Sequence, residues 1–331
     1  MPPRWRLPLL LLGFVALAFG VAGGLARLTP SLAVLPSAVA LHGPLMISAF
    51  FGTVIALERA VALGRLWAYA APLGAGLGGV LLLGGFTAPG FVSMAAGAAV
   101  FCAASVAVFA RQPSLEMGTL LAGALAWLAG NLLLLQGLPA VPWWIAFFVL
   151  TIGGERLELS RYLKRAPWVR RLFLLLAVAV LFAPLIPQTL GVVLVLLALW
   201  LFAFDLARFT VKQDGLPRYV AVCLLAGYLW LAIGGALMAA SAHYDAALHS
   251  LFLGFVFSMV FGHAPVILPA VLRVRFRYHP ALYAPLVLLH TSLAVRVLLS
   301  THIGAWGNAA AIALFIATAA TLVLSRASSA R

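Results

Sequence analysis

Apolar runs of roughly 18–25 residues recur from one end of the chain to the other. That is the length needed to cross about 30 Å of hydrocarbon at about 1.5 Å per helical residue. They read as Leu7–Ala26, Leu32–Val61, Leu66–Phe86, Gly90–Ala110, Leu115–Gln136, Val141–Ile152, Leu172–Ile186, Thr189–Ala207, Tyr219–Ala240, Ala246–Leu272, Ala281–Leu299 and Trp306–Leu324. The sixth is expected to continue toward Tyr162. Pro, Gly or charged residues separate the runs, as at Thr29-Pro30, Gln112-Pro113 and Asp214-Gly215. Of 331 residues 65% are apolar and 8% charged, against about 25% charged in a soluble domain, so lipid must be the solvent for most of the surface. The pattern predicts an all-α, polytopic membrane bundle of about twelve transmembrane helices, forming one transmembrane domain over residues 1–331.

The net charge of +14 does not point to nucleic acid, because the arginines sit in short clusters between apolar runs and form no separate basic domain. Alternate connections carry Arg4/Arg6, Arg59/Arg65, Arg111, Arg156 through Arg171, Arg208/Lys212/Arg218, Arg273/Arg275/Arg277 and Arg326/Arg331; the intervening ones hold little beyond Arg27. Positive loops stay cytoplasmic, so this parity places both termini inside a bacterial-type inner membrane. The basic, apolar N-terminus fits a first helix better than a cleaved leader. Cys102 and Cys223 lie inside apolar runs and read as packing residues. Phe50 and Phe147 each open a run that ends in Glu-Arg (Glu58-Arg59, Glu155-Arg156), four spans apart, which hints at a three-by-four pseudo-repeat. These Glu-Arg pairs read first as ion pairs fixing helix ends.

Ionisable residues inside spans are costly and are functional candidates by default. His42, His249, His263 and His290 qualify; His243, His279 and His302 fall at interfaces or loops. Counting from the basic ends, His42 and His249 lie roughly 35 Å from the inner flank, and His263 and His290 roughly 15–20 Å. The four thus form two level pairs, and His249 and His263, two heptads apart, share a face of one straight helix. A level pair of imidazoles from facing helices is what axial ligation of a haem iron requires; the bland alternative is histidine gluing helices by hydrogen bonds. Met46 and Met259, one turn from His42 and His263, are potential ligands or core filling. Arg296, in an apolar run, needs an anion: a haem propionate, Asp245, or water reached by snorkelling. Arg27 is a weaker candidate of that kind. Pro265 and Pro269 are expected to kink the tenth helix.

His42-Gly43-Pro44-Leu45-Met46, in the second of twelve spans, resembles the H-G-x-x-M stretch of haem–copper oxidase subunit I. His249, followed by SLFLGFVFSMVFG in the tenth span, is similar to that family's run after its haem histidines. The resemblance implies His42 and His249 as axial ligands of one low-spin haem. The residues themselves add the expectation of a b-type haem with Arg296 near its propionates and Met46 on the face of His42. His263 and His290 would then form a second metal site, for haem or copper. The sixth and seventh helices lack the histidines with which the oxidases bind copper, and the cross-linked His–Tyr pair has no counterpart. NnrS-type proteins, divergent haem-containing relatives tied to nitric oxide tolerance, fit better. The expectation is a haem-binding protein of electron transfer or nitric oxide response, with a redox partner or gaseous ligand and room for an oligomer. A haem-free secondary transporter, or an assembly factor for a respiratory complex, are the rivals.

Overall fold

A computed structural model describes residues 2–160, 163 and 165–324. Tyr162, Arg161, Lys164, Arg326 and Arg331, which entered the reading of spans and topology, lie outside the described residues. The long helices are α1 (Pro3–Leu28), α2 (His42–Leu63), α3 (Leu66–Leu83), α4 (Thr87–Arg111), α5 (Leu115–Leu135), α6 (Val141–Leu159), α7 (Pro167–Leu185), α8 (Pro187–Phe204), α9 (Leu216–Ala239), α10 (Tyr244–Leu272), α11 (Pro280–Leu298) and α12 (Thr301–Leu324). All but α6 are long and apolar enough to cross a membrane, which makes eleven among the described residues. The exception has 19 residues, and Glu155, Arg156 and Glu158 crowd its last turns. The protein is an all-α polytopic bundle whose apolar helices suit a lipid environment.

The chain forms two compact units, Met1–Glu155 and Arg156–Arg331. This boundary falls near the end of α6. Helix ends reflect local chemistry. The Ser114 hydroxyl accepts the Met117 N–H at the start of α5. Proline opens α7 and α8, where its missing N–H costs nothing. Gly64, at φ 69°, stops α2 in a left-handed turn. The run expected to continue to Ala207 stops at Phe204, because Asp205 turns extended and its carboxylate accepts the Ala207 N–H at 2.6 Å.

In unit 1, small residues let α3 and α4 meet backbone to backbone: a Cβ on Gly74 would lie 2.9 Å from the Ser93 carbonyl oxygen, and one on Gly97 2.8 Å from that of Ala71. An aromatic core lies deeper in the unit, with Trp127 stacked on Phe147 at 5.4 Å and edge-on to Phe101. In unit 2, Phe261 of α10 stacks on Phe315 of α12 at 3.9 Å.

Two helices are not simple α-helices. Leu45–Phe51 in α2 and Ser250–Phe257 in α10 are wound as π-helix. Wider i→i+5 turns hold about one extra residue each, and each extra residue rotates the remainder of the helix by about 100°. The two-heptad argument for one face shared by His249 and His263 assumed a continuous α-helix, and the π turns between them remove it. Beyond them α10 runs helically through Pro265 and Pro269 to Leu272.

Candidate functional site

The same tripeptide precedes each π-wound stretch, Ala40-Leu41-His42 before Leu45 and Ala247-Leu248-His249 before Ser250. In unit 1 a short helix, Pro36–Ala40, leads into α2. Arg27 of α1 ties down its last carbonyls, donating from Nε to Val39 O (2.7 Å) and from Nη2 to Ala40 O (2.9 Å). The guanidinium expected as a secondary anion site is therefore a helix C-cap. His42 Nδ1 then meets the Gly20 carbonyl oxygen of α1 at 2.6 Å. Its ring lies over Gly24, where a Cβ would stand 2.7 Å from Cε1. Met46, buried, packs its sulfur against Gly20. Two glycines one turn apart in α1 thus form the seat for His42 and Met46.

In unit 2 the ring is held from its own helix. His249 Nδ1 meets Asp245 O at 2.8 Å and Asp245 Oδ1 at 3.2 Å. Asp245 in turn takes a two-pronged contact from Arg296 of α11, Nε to Oδ2 at 3.1 Å and Nη2 to Oδ1 at 2.9 Å. Of the anions the sequence offers Arg296, Asp245 is the one this structure shows beside it, in the planar geometry guanidinium favours. The line Arg296–Asp245–His249 is a carboxylate–histidine arrangement of the kind that orients metal-binding imidazoles and raises their basicity.

A carbonyl oxygen only accepts, so His42 and His249 carry their proton on Nδ1 and, when neutral, the lone pair on Nε2. His263 has the same tautomer, with Nδ1 2.8 Å from Met259 O. His290 has the opposite one. The Trp230 indole N–H, which can only donate, reaches its Nδ1 at 3.0 Å. Its Nε2–H points to Ser258 Oγ at 3.3 Å, and Ser258 donates to Cys223 O at 2.7 Å. Both ring nitrogens are used, so His290 ties α9, α10 and α11 together by hydrogen bonds, the alternative the sequence offered to metal ligation. Its contact at Ser258 also sets it five residues, on the order of 7 Å, along α10 from His263, so these two are not level.

Sequence reasoning missed two buried polar clusters. In unit 1 Trp127 Nε1–H donates to Ser48 Oγ (3.1 Å), Ser48 donates to Asn131 Oδ1 (2.9 Å), and Trp144 Nε1–H reaches the same oxygen (3.1 Å). This knot ties the π turns of α2 to α5 and α6. An asparagine inside an apolar run was the available signal. In unit 2 Arg156 grips Asp205 by Nε (2.8 Å) and Nη2 (3.1 Å), with both side chains almost fully buried. The Arg156 expected to close a local pair at the end of α6 thus answers a carboxylate 49 residues away, while the carboxylates of Glu58 and Glu155 lie close enough to repel.

Among the described residues no three His, Cys, Asp or Glu side chains gather as they would around a bare metal ion. Copper or zinc held by side chains alone needs such a group; a haem iron, with four positions filled by the ring, needs only one or two imidazoles. His42 in unit 1 and His249 in unit 2 each present a single imidazole of the kind a haem iron takes, whereas His263 and His290 have no third such side chain beside them for a bare copper ion among the described residues.

By fold the chain is an all-α integral membrane protein of the polytopic class. A family model for a domain of unknown function, DUF8744, matches residues 6–324, and the chain belongs to that family. No curated protein and no solved structure matches it.

Proposed function

We propose that this is a haem-binding membrane protein in which Nε2 of His42 and Nε2 of His249 are iron ligands. The observation that carries the reading is the tautomer: each histidine comes after Ala-Leu, shortly before a π-wound stretch, and donates Nδ1–H to a carbonyl, which directs the ring's lone pair to the nitrogen used for ligation. π turns in turn concentrate at functional sites. Joining the two as opposite ligands of one haem b rests on the resemblance to haem–copper oxidase subunit I. Bound haem would supply an iron that exchanges one electron or takes a small gas such as nitric oxide. The chain's part is to hold the two imidazoles in one tautomer, by the Gly20 carbonyl in unit 1 and by Asp245 in unit 2. The positive-inside pattern completes the proposal with an inner-membrane protein whose termini are cytoplasmic.

The test is the reduced-minus-oxidised absorption spectrum of protein purified from cells supplied with haem. A b-type spectrum is expected, and His42→Ala and His249→Ala should each remove the same species. A colourless protein would overturn the reading and leave substrate uptake by a haem-free permease as the next assay. Loss of different species in the two variants would overturn the pairing alone.

A further inference from the structure

At the end of α8, unit 2 gathers three arginines around one carboxylate. Asp205 is already committed, to the guanidinium of Arg156 and to the Ala207 N–H. Arg208, on the short helix Ala207–Thr210, reaches back from Nη1 to Ala203 O. Arg165 lies with its guanidinium over the indole of Trp200, Cζ 5.7 Å from the ring centroid. Trp200 is fixed by its own N–H to Val169 O at 3.1 Å. Arg165 is drawn by the charge of Asp205 and repelled by that of Arg208. Its Nη2 is shielded from solvent and makes no hydrogen bond among the described residues. A buried, unmet guanidinium N–H is rare in folded proteins, because the lost hydration is replaced by nothing. Asp205 is neutralised by Arg156, so Arg165 carries an uncompensated positive charge against the Trp200 ring.

The surroundings indicate where that anion comes from. Arg165 stands two residues before α7 begins at Pro167. Trp168, exposed, meets Phe204 edge-on at 5.5 Å, and Phe204 meets Trp200 at 5.7 Å, so an aromatic row runs from the outer surface to the ring under Arg165. Phe209, also exposed, flanks Arg208. Exposed aromatics around arginines at the end of a spanning helix mark the headgroup level of a bilayer, where basic pockets take anionic lipid.

We propose that Arg165, stacked on Trp200 with Arg208 beside it, holds the phosphate of an anionic phospholipid headgroup at the basic end of unit 2. The Arg165 and Arg208 guanidinium groups give the phosphate its counter-charge, and the aromatic row gives the acyl chains their path into the hydrocarbon.

Delipidated full-length protein in a neutral detergent tests this by thermal melting against short-chain phosphatidylglycerol, phosphatidylcholine or inorganic phosphate. Phosphatidylglycerol should raise the melting temperature of the parent protein and not of Arg165→Gln, and phosphatidylcholine should raise neither. An equal rise in Arg165→Gln overturns the site. An equal rise with inorganic phosphate overturns the lipid as its occupant. If Arg165→Gln cannot be purified, the exposed Arg208→Gln carries the test: phosphatidylglycerol should bind about fivefold more weakly, and unchanged binding overturns the proposal.

Discussion

His42 and His249 reach one chemical state by different means. Both come after Ala-Leu, both precede π turns, and both give Nδ1–H to a carbonyl oxygen. His42 depends on another helix: its partner is Gly20 of α1, 22 residues away, and its ring fits because Gly24 has no side chain. His249 depends on its own helix, four residues back, and on an ion pair made with α11. Packing thus secures one ring and electrostatics the other, so the two should fail under different perturbations.

The sharpest way to separate them is Gly24→Ala. The added Cβ would stand 2.7 Å from His42 Cε1 and must displace the ring. In a helix the exchange by itself favours folding by about 1 kcal/mol. The expected outcome is a protein that still folds, by circular dichroism and melting, but loses most of the haem absorption that His42→Ala removes. Retention of the full spectrum would show that the glycine seat does not govern this ligand. Next in size is Asp245→Asn, which keeps the carbonyl contact to His249 but removes the carboxylate. Losing such an outer partner typically costs 10–100-fold in metal affinity, so haem should bind about tenfold more weakly, read by titrating the apoprotein with haem. Because Asp245 is about half exposed, the stability loss should stay near 1 kcal/mol in denaturant unfolding. Arg296→Gln should act in the same direction and less, since the Asp245 contact to His249 survives.

Much of this frame is legible in the sequence. The apolar runs gave the helices, and rarity of charge within them singled out His42, His249 and Arg296. What escaped depends on winding or on distance along the chain. π turns have no hydrophobic period of their own, so Ser250–Phe257 reads as ordinary helix and misplaces His263 relative to His249. The tautomer of His290 is set by Trp230, 60 residues away, and that of His249 by an atom in its own helix; nothing in the local sequence distinguishes them. Arg156 sits next to Glu155, and adjacency suggests a local pair, but Asp205 offers a carboxylate free to meet both arms of the guanidinium. The Ser48–Asn131 knot was overlooked because uncharged polar residues weigh less in such a reading than titratable ones, although in lipid they too must find partners.

The smallest effect is expected at Met46, and it decides what the α1 seat is for. Met46 and His42 both rest on Gly20, so a thioether stands beside the imidazole. If sulfur were an iron ligand, exchange for leucine would remove the haem spectrum as His42→Ala does. If Met46 only fills the seat, Met46→Leu conserves volume in a buried position and should cost less than about 1.5 kcal/mol, with the spectrum unchanged. The second outcome is expected. The sulfur already packs against the α1 backbone, and His249, the other proposed ligand, has no methionine next to it in sequence. An altered spectrum in Met46→Leu with an intact one in Asp245→Asn would reverse the picture, making unit 1 a ligand pair of its own and His249 a structural residue.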